Sequence, residues 1–322
     1  MTDSYGAQIF RFSGAGNDFV VLDGRKGGME PFRQTETIQS LCREYHTDGL
    51  MILTEGPGVD FTMEFYNPDG SGGMMCGNGG RCIVAFADYL GILPAEGHLY
   101  RFLAPDGEHT AEILEAPDTS LGENTAKRPD SLAAQRELGQ KGPKTPGFAK
   151  WTVRLKMIDV QGITPMKDGY FLNTGTRHFV RFVPEVDGID MEMEAKPLRW
   201  DAAFQPEGAN VNFVEARPDG LHVRTFEKGV EGETLACGTG LTASALAAFK
   251  AGIPCSSGAE QPMGSGESGP RNGEDKTASQ AMYSLQCRRG DWLQVCFRPG
   301  PEDRFSEVYL IGPAELVAVN PL

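Results

Sequence analysis

Cys76-Gly77-Asn78-Gly79-Gly80-Arg81-Cys82-Ile83-Val84-Ala85-Phe86-Ala87-Asp88-Tyr89-Leu90-Gly91 and Cys237-Gly238-Thr239-Gly240-Leu241-Thr242-Ala243-Ser244-Ala245-Leu246-Ala247-Ala248-Phe249-Lys250-Ala251-Gly252 are two versions of one pattern. Each opens on Cys-Gly-x-Gly, runs on through small and apolar residues, and closes on a glycine 15 residues after its cysteine, where a helix C-cap falls. Residues this small and apolar on all sides predict helices buried inside their domains. A pattern that occurs twice predicts an α+β chain of two pseudo-symmetric domains, each with a buried helix entered from a Cys-Gly loop.

The flanking sequence fits that plan. Ile9-Phe10-Arg11-Phe12, the glycine loop Ser13-Gly14-Ala15-Gly16-Asn17-Asp18, and Phe19-Val20-Val21-Leu22-Asp23 read as strand, tight loop, strand. Further strands are predicted over 49–54, 61–66, 151–160, twice within 169–183, and at 308–311 and 315–319. Residues 115–150 read as a polar linker. Residues 256–280 contain no Val, Ile, Leu or aromatic side chain and read as a surface insertion. The 322 residues also match about two domains at roughly 150 residues each. The division predicted is 1–150, with 308–322 returning to it, and 151–307.

Composition removes several classes of function. The formal charge of −14 opposes a nucleic-acid or anionic-membrane surface, both of which need clustered basic residues. No apolar run approaches the ~20 residues of a membrane helix. The opening Met1-Thr2-Asp3-Ser4-Tyr5-Gly6 has no basic start and no apolar h-region, which predicts a cytoplasmic location. Seven cysteines, an odd number without zinc or disulfide spacing, are then expected as thiols in a reducing compartment. Cys42, Cys82, Cys255, Cys287 and Cys296 read as structural, as do His46, His98, His109 and His222.

Cys76 and Cys237 stand apart. At a helix entry, unpaired N–H groups and the helix dipole stabilise a thiolate, and glycines let an anionic ligand approach the backbone. A redox pair, a metal site and a hydrolase nucleophile each fit poorly. There is no Cys-x-x-Cys, no further metal ligand at short spacing, and a hydrolase leaves the second loop unexplained. An acid–base pair uses both: one thiolate takes a proton from carbon and the opposing thiol delivers one to the other face. The glycine loop lacks the third glycine of a dinucleotide site, and no phosphate-binding loop is present.

The set Gly14-Ala15-Gly16-Asn17-Asp18-Phe19, Tyr66-Asn67-Pro68-Asp69-Gly70-Ser71, Met75-Cys76-Gly77-Asn78-Gly79, Ala209-Asn210-Val211-Asn212-Phe213 and Gly232-Glu233-Thr234-Leu235-Ala236-Cys237-Gly238-Thr239-Gly240 resembles the diaminopimelate epimerase family. The resemblance implies two domains, each a curved, mostly antiparallel sheet around a central helix. It implies a cofactor-independent, metal-independent enzyme that interconverts LL- and meso-2,6-diaminopimelate in lysine and peptidoglycan precursor synthesis, as a homodimer with a small-molecule substrate. Cys76 and Cys237 would be the acid/base thiols, with His178 and Glu227 beside them. Gly77, Asn78, Gly238 and Thr239 would hold the reacting carboxylate, and Asn17, Asn67 and Asn210 the remaining polar groups.

Three motifs depart from the family pattern, the least of them the first loop, with Ser13 where histidine is frequent. The family's usual Gly-Asn-Pro-His is here Gly175-Thr176-Arg177-His178, and its Glu-Arg-Gly is Glu227-Lys228-Gly229. By that resemblance Thr176 and Lys228 would stand where the distal end of the substrate is read, and lysine cannot form the two-pronged carboxylate pair that arginine can. Arg177 is the expected replacement cation. A racemase of another polar amino acid, such as histidine, is the second reading.

Overall fold

The structure is a computed structural model that describes residues 8–73, 76–117, 149–166, 168–255 and 280–321. The expected loop at 115–150 and insertion at 256–280 fall almost entirely outside them. The chain divides into two compact units, one made of 1–156 with 311–322, the other of 157–310. Among the described residues, no helix is long and apolar enough to cross a membrane.

The first unit contains β1 (Gln8–Ser13), β2 (Asp18–Asp23), α1 (Thr35–Tyr45), β3 (Gly49–Thr54), β4 (Phe61–Tyr66), α2 (Gly77–Tyr89), β5 (Leu99–Ala104), β6 (Gly107–Glu115) and β7 (Ala149–Lys156). Its strands pair in the order β1 to β7, and the end of the last strand of the chain lies between β7 and β1, closing the sheet into a ring. All pairings are antiparallel except β2–β3 and β4–β5. Helix α2 lies against strands from around this ring, β1, β2, β3, β6 and β7 among them, with Phe86 packed on Phe10 and Phe12. Every residue from Gly77 to Ala87 is buried. Outside the ring, Ile38, Leu41 and Cys42 of α1 cover Val20, Leu22, Leu50 and Ile52, so β2 and β3 are apolar on both faces.

The second unit repeats that order: β8 (Thr164–Met166), β9 (Gly169–Asn173), β10 (Arg177–Phe182), α3 (Met191–Arg199), β11 (Asn210–Arg217), β12 (Gly220–Glu227), β13 (Gly232–Thr234), α4 (Gly238–Lys250), β14 (Ala281–Gln286), β15 (Trp292–Pro299) and the first residues of β16 (Phe305–Pro321), whose end belongs to the first unit. Strands β9–β10–α3–β11–β12–α4–β14–β15 reproduce β1–β2–α1–β3–β4–α2–β5–β6. The parallel pairs fall in the same places, at β10–β11 and β12–β14. Helix α4 touches β9, β10, β11, β12, β14 and β15. Outside, Met191 and Ala195 of α3 pack with Phe179, Phe204, Val211 and Phe213. The α+β class and the central buried helix follow the sequence reading.

Both central helices also end alike. Gly91 and Gly252 adopt φ +74° and +73°. The N–H of Gly91 donates to Asp88 O and that of Ile92 to Ala87 O, both at 2.9 Å; Gly252 donates to Phe249 O and Ile253 to Ala248 O, both at 3.0 Å. This is the Schellman closure, which needs a left-handed residue and therefore favours glycine.

Two strand expectations change. The strand expected over 151–160 ends at Lys156, because the in–out alternation breaks at Ile158 and Asp159, both exposed. Met157 and Val160 instead donate to Val308 O and Phe305 O. The two stretches at 308–311 and 315–319 form one strand, β16. Gly312 and Pro313 read as a break, yet they stay in register with Val153 and Thr152 of β7. Pro313 gives no N–H to the ladder, but its carbonyl accepts from Arg81 Nε at 3.3 Å.

Candidate active site

Cys76 is the N-cap of α2 (φ −103°, ψ 152°), and its Sγ accepts a hydrogen bond from the N–H of Gly79 at 3.2 Å. The turn Cys76-Gly77-Asn78-Gly79 thus points backbone donors at sulfur, where the helix dipole favours negative charge. Four residues on from Gly77, the Arg81 guanidinium is wholly buried. It donates to Gly77 O (3.1 Å), Gly14 O (3.2 Å) and Asn78 Oδ1 (2.8 Å). Asn78 Nδ2 in turn donates to Asn17 Oδ1 at 2.6 Å. The β1–β2 hairpin is therefore fastened onto the cysteine turn, closely enough that a methyl group at Gly14 would sit 2.8 Å from both Asn78 O and Cys82 Sγ. The turn after β4 is self-bonded: Asn67 Nδ2 donates to Ser71 Oγ (3.0 Å), and Ser71 N and Oγ both donate to Asp69 Oδ1. These two donors hold the Asp69 carboxyl below its usual range.

In the second unit Cys237 is the N-cap of α4, without the cap hydrogen bond that Cys76 makes. Its Sγ lies 3.4 Å from Thr239 Oγ1 instead. Thr239 is held from behind: Thr174 Oγ1 donates to its carbonyl (2.9 Å), and His178 Nε2 is 3.0 Å from its hydroxyl. His178 sits on β10 opposite Asn210 of β11 and is fully buried. Burial pushes its imidazole down to about 3, so it is neutral. Its tautomer follows from Asn212. Asn212 Nδ2 donates to the carbonyl of Phe179 (3.1 Å), which can only accept, and the same nitrogen lies 3.0 Å from His178 Nδ1. Nδ1 is thus the acceptor and the proton rides on Nε2. It goes to Thr239 Oγ1 rather than to Asn210 Nδ2, itself a donor, at 3.4 Å. The Thr239 hydroxyl hydrogen is then left for Cys237 Sγ. Thr225 Oγ1 fixes the other limb of Asn212, donating to Oδ1 at 2.9 Å, and a methyl group at Gly240 would meet that oxygen at 2.5 Å.

Glu227, the last residue of β12, is partly buried, and burial raises its carboxyl above the usual range against opposing hydrogen bonds from Thr234 and Cys237. Next to it, the N–H of Lys228 donates to Asn210 Oδ1 at 2.7 Å.

The residues singled out in the sequence thus gather into two sets. Cys76, Gly77, Asn78 and Asn17 join in the first unit; Cys237, Gly238, Thr239, His178, Asn210, Glu227 and Lys228 join in the second. Thr176 lies in the β9–β10 turn, where its carbonyl accepts from Thr174 N at 3.1 Å. Arg177 does not serve as the expected replacement cation. Neighbouring residues of a strand face opposite ways, so Arg177 is turned from the His178 side; it lies over the Phe171 ring (5.1 Å) and 3.5 Å from Glu207. Sequence reading misses Arg81, Asn212, Thr174 and Thr225. Only Asn212 carries a signal, as the second asparagine of Asn210-Val211-Asn212.

A family model described as diaminopimelate epimerase matches residues 10–116 and 170–269. The diaminopimelate epimerase of Chlorobaculum tepidum is 37% identical over 95% of this chain and 97% of its own. That of Flavobacterium psychrophilum is 32% identical over 96% and 98%. Among solved structures, a phenazine biosynthesis protein of the PhzF family from Bacillus anthracis has a TM-score of 0.62 at 11% identity, covering 98% of each chain. A hydroxyproline epimerase from Agrobacterium vitis has a TM-score of 0.53 at 12% identity, covering 99% of this chain and 93% of its own. These last two share the fold; the relatives matched along the whole sequence decide the family. With both cysteine turns, both capped helices and the repeated order of elements in place, the chain belongs to the diaminopimelate epimerase family.

Proposed function

We propose that this enzyme interconverts LL- and meso-2,6-diaminopimelate by a two-base mechanism carried by Cys76 and Cys237. The observation that supports it is the recurrence of one helix entry in each unit, a cysteine N-cap whose sulfur lies within hydrogen-bond distance of a neighbouring group at the start of a buried helix. The thiolate removes the α-proton, the electron pair left on carbon delocalises into the adjacent carboxylate, and the other thiol donates its proton to the opposite face. The N–H groups of Gly77, Asn78, Gly238 and Thr239 hold that carboxylate as its charge grows. At rest one thiol is ionised and the other keeps its proton; the Gly79 N–H at Cys76 and the Thr239 hydroxyl at Cys237 stabilise each sulfur when it carries the charge. His178 does not titrate in the working range; it acts through Thr239, whose hydroxyl it aims at sulfur.

Asn17, Asn67 and Asn210 bind the other polar groups of the substrate. Thr176 and Lys228 face its distal end, where Lys228 acts as a point charge in the place of the family's usual arginine. The mechanism calls for no cofactor, and the enzyme works as a cytoplasmic homodimer. Turnover of LL-diaminopimelate in D₂O tests this reading. The meso product carries solvent deuterium at the inverted carbon, and Cys76→Ala or Cys237→Ala lowers the rate by about 10²–10⁴-fold or more. Unlabelled product, near-normal turnover by either variant, or faster inversion of histidine than of diaminopimelate would overturn it.

A further inference from the structure

Arg81 has only donors, and this fixes the sense of every hydrogen bond downstream of it. The atom of Asn78 that faces Arg81 NH2 at 2.8 Å must be Oδ1, so the amide nitrogen of Asn78 is the limb turned to Asn17. That nitrogen can only donate, so Asn17 must answer with Oδ1, at 2.6 Å. The other limb of the Asn17 amide is then Nδ2, a donor. Asn78 is 2% exposed and Arg81 0%, whereas Asn17 is only partly buried, at the tip of the β1–β2 hairpin. Water can therefore reverse neither of the first two links, and the sense is imposed from the core outward.

We infer that Arg81 and Asn78 are positioning residues that lock Asn17 as a hydrogen-bond donor, so that the first unit reads an acceptor on the substrate, a carboxylate oxygen, and turns away an ammonium. The inference rests on the proposed function for the identity of the substrate, but the polarity argument stands on the hydrogen bonds alone. Arg81 has a second task in the same place. Its bonds to Gly14 O and Gly77 O tie the hairpin to the turn of Cys76, so the polarity of Asn17 and the position of the thiol are set by one buried cation.

Asn78→Asp isolates the effect. It keeps the shape and gives Arg81 a charged acceptor, so the fold is retained with a melting temperature at or above that of the native protein. It also removes the Nδ2 donor. The introduced carboxylate only accepts, and Asn17 must rotate to donate to it, presenting its oxygen outward. With LL-diaminopimelate the expected result is a KM about 10- to 100-fold higher, the size of a lost hydrogen bond to a charged group, in a protein whose melting temperature has not fallen and which still incorporates solvent deuterium at the α-carbon. A merely structural role would lower stability and kcat together. Direct repulsion of substrate by the introduced carboxylate is separated by repeating the substitution in an Asn17→Ala background, where the KM penalty is expected to fall below about 3-fold. A penalty of the same size there, or no rise in KM in the native background, would overturn the relay.

Asn17→Asp supplies an independent check. Its carboxylate still accepts from Asn78 but offers substrate no donor, and it leaves the buried links untouched. The KM of this variant is expected to rise at least as far as that of Asn78→Asp; native-like binding would overturn the assignment. Failure of the native protein to epimerise diaminopimelate would instead count against the proposed function, and is read from the same assay before any variant.

Discussion

In the first unit the turn that carries Cys76 rests on a guanidinium with no exposure to solvent; in the second, the turn that carries Cys237 rests on an imidazole just as deeply buried. The backbones are near copies, with cysteine at the N-cap, glycine at the first and third helical positions, and a hairpin fastened to the second. The polar filling behind them is not. Arg81 is a permanent cation that donates to Pro313 O, Gly77 O, Gly14 O and Asn78 Oδ1. His178 is neutral, receives from Asn212 and passes a hydrogen to Thr239. The repeat conserves the mount and varies what stands behind it, which gives two chemically similar thiols different surroundings. A two-base inversion uses its thiols in opposite protonation states, and different surroundings would bias which of them holds the proton.

The largest expected contrast is in stability. Arg81→Met strands the buried oxygens of Asn78, Gly77 and Gly14, a loss of about 3–5 kcal/mol. Nothing in that loss depends on pH between 5 and 8. His178 behaves otherwise. Its folded pKa of about 3 lies below the ordinary 6.5, so the unfolded chain takes up a proton that the folded chain refuses. The stabilisation from the neutral, buried ring is fully present above pH 6.5 and fades as pH falls toward 3, by about 2 kcal/mol at pH 5. Urea unfolding at pH 7.5 and 5.0 measures both. The deficit of Arg81→Met should be the same at each pH, and that of His178→Gln should shrink by about 2 kcal/mol at pH 5. If both deficits moved with pH, or neither did, the two cores would not differ in charge as described.

A smaller effect concerns the sulfurs. Thr239→Val removes the hydroxyl that faces Cys237 and leaves the Gly79 N–H on Cys76 untouched. The expected outcome is a fall in kcat of about 10-fold, one hydrogen bond to a charged sulfur, with Thr239→Ser retaining most of the activity. Alkylation of single thiols, resolved by peptide mass, should show Cys237 alone slowed. Equal slowing of Cys76 would mean that the hydroxyl acts on the whole site and not on its own half.

The division of labour between backbone and filling also explains what can be read in the sequence. Cys-Gly-x-Gly, the small apolar run and the closing glycine are local requirements of one buried, capped helix, so they lie together in the chain and declare themselves. The partners of those helices do not. Asn17 and Asn78 are 61 residues apart, as are His178 and Thr239, and the contact between each pair exists only once the ring of strands has formed. Arg81 reads as an ordinary polar residue on an apolar helix; its role depends on oxygens drawn from three places in the chain, Gly14, the turn at Gly77 and Asn78, and Pro313. Helices α1 and α3 escape sequence reading for a different reason. Each buries three side chains on one face, and α3 carries Pro197 within it, so neither shows an apolar stripe long enough to stand out. Arg177 shows the limit of motif reasoning: it adjoins His178 in sequence, but in a strand adjacency means the opposite face.

The smallest prediction tests the sameness of the two units. Gly91 and Gly252 close the two central helices with φ values one degree apart and the same pair of hydrogen bonds. An alanine at either position must adopt a left-handed backbone, which costs about 1 kcal/mol, and neither glycine lies near the cysteine end of its helix. Nothing within 4 Å of a Cβ at Gly252 adds a steric contribution. Gly91→Ala and Gly252→Ala should therefore lower stability by equal amounts, to within a few tenths of a kcal/mol, and their losses should add in the double variant because the sites are independent. KM and kcat should stay at native values in all three proteins. Unequal losses would show that the repeat ends before the helix C-termini; a fall in kcat in only one variant would show that the helix carrying that thiol transmits strain along its length to the sulfur.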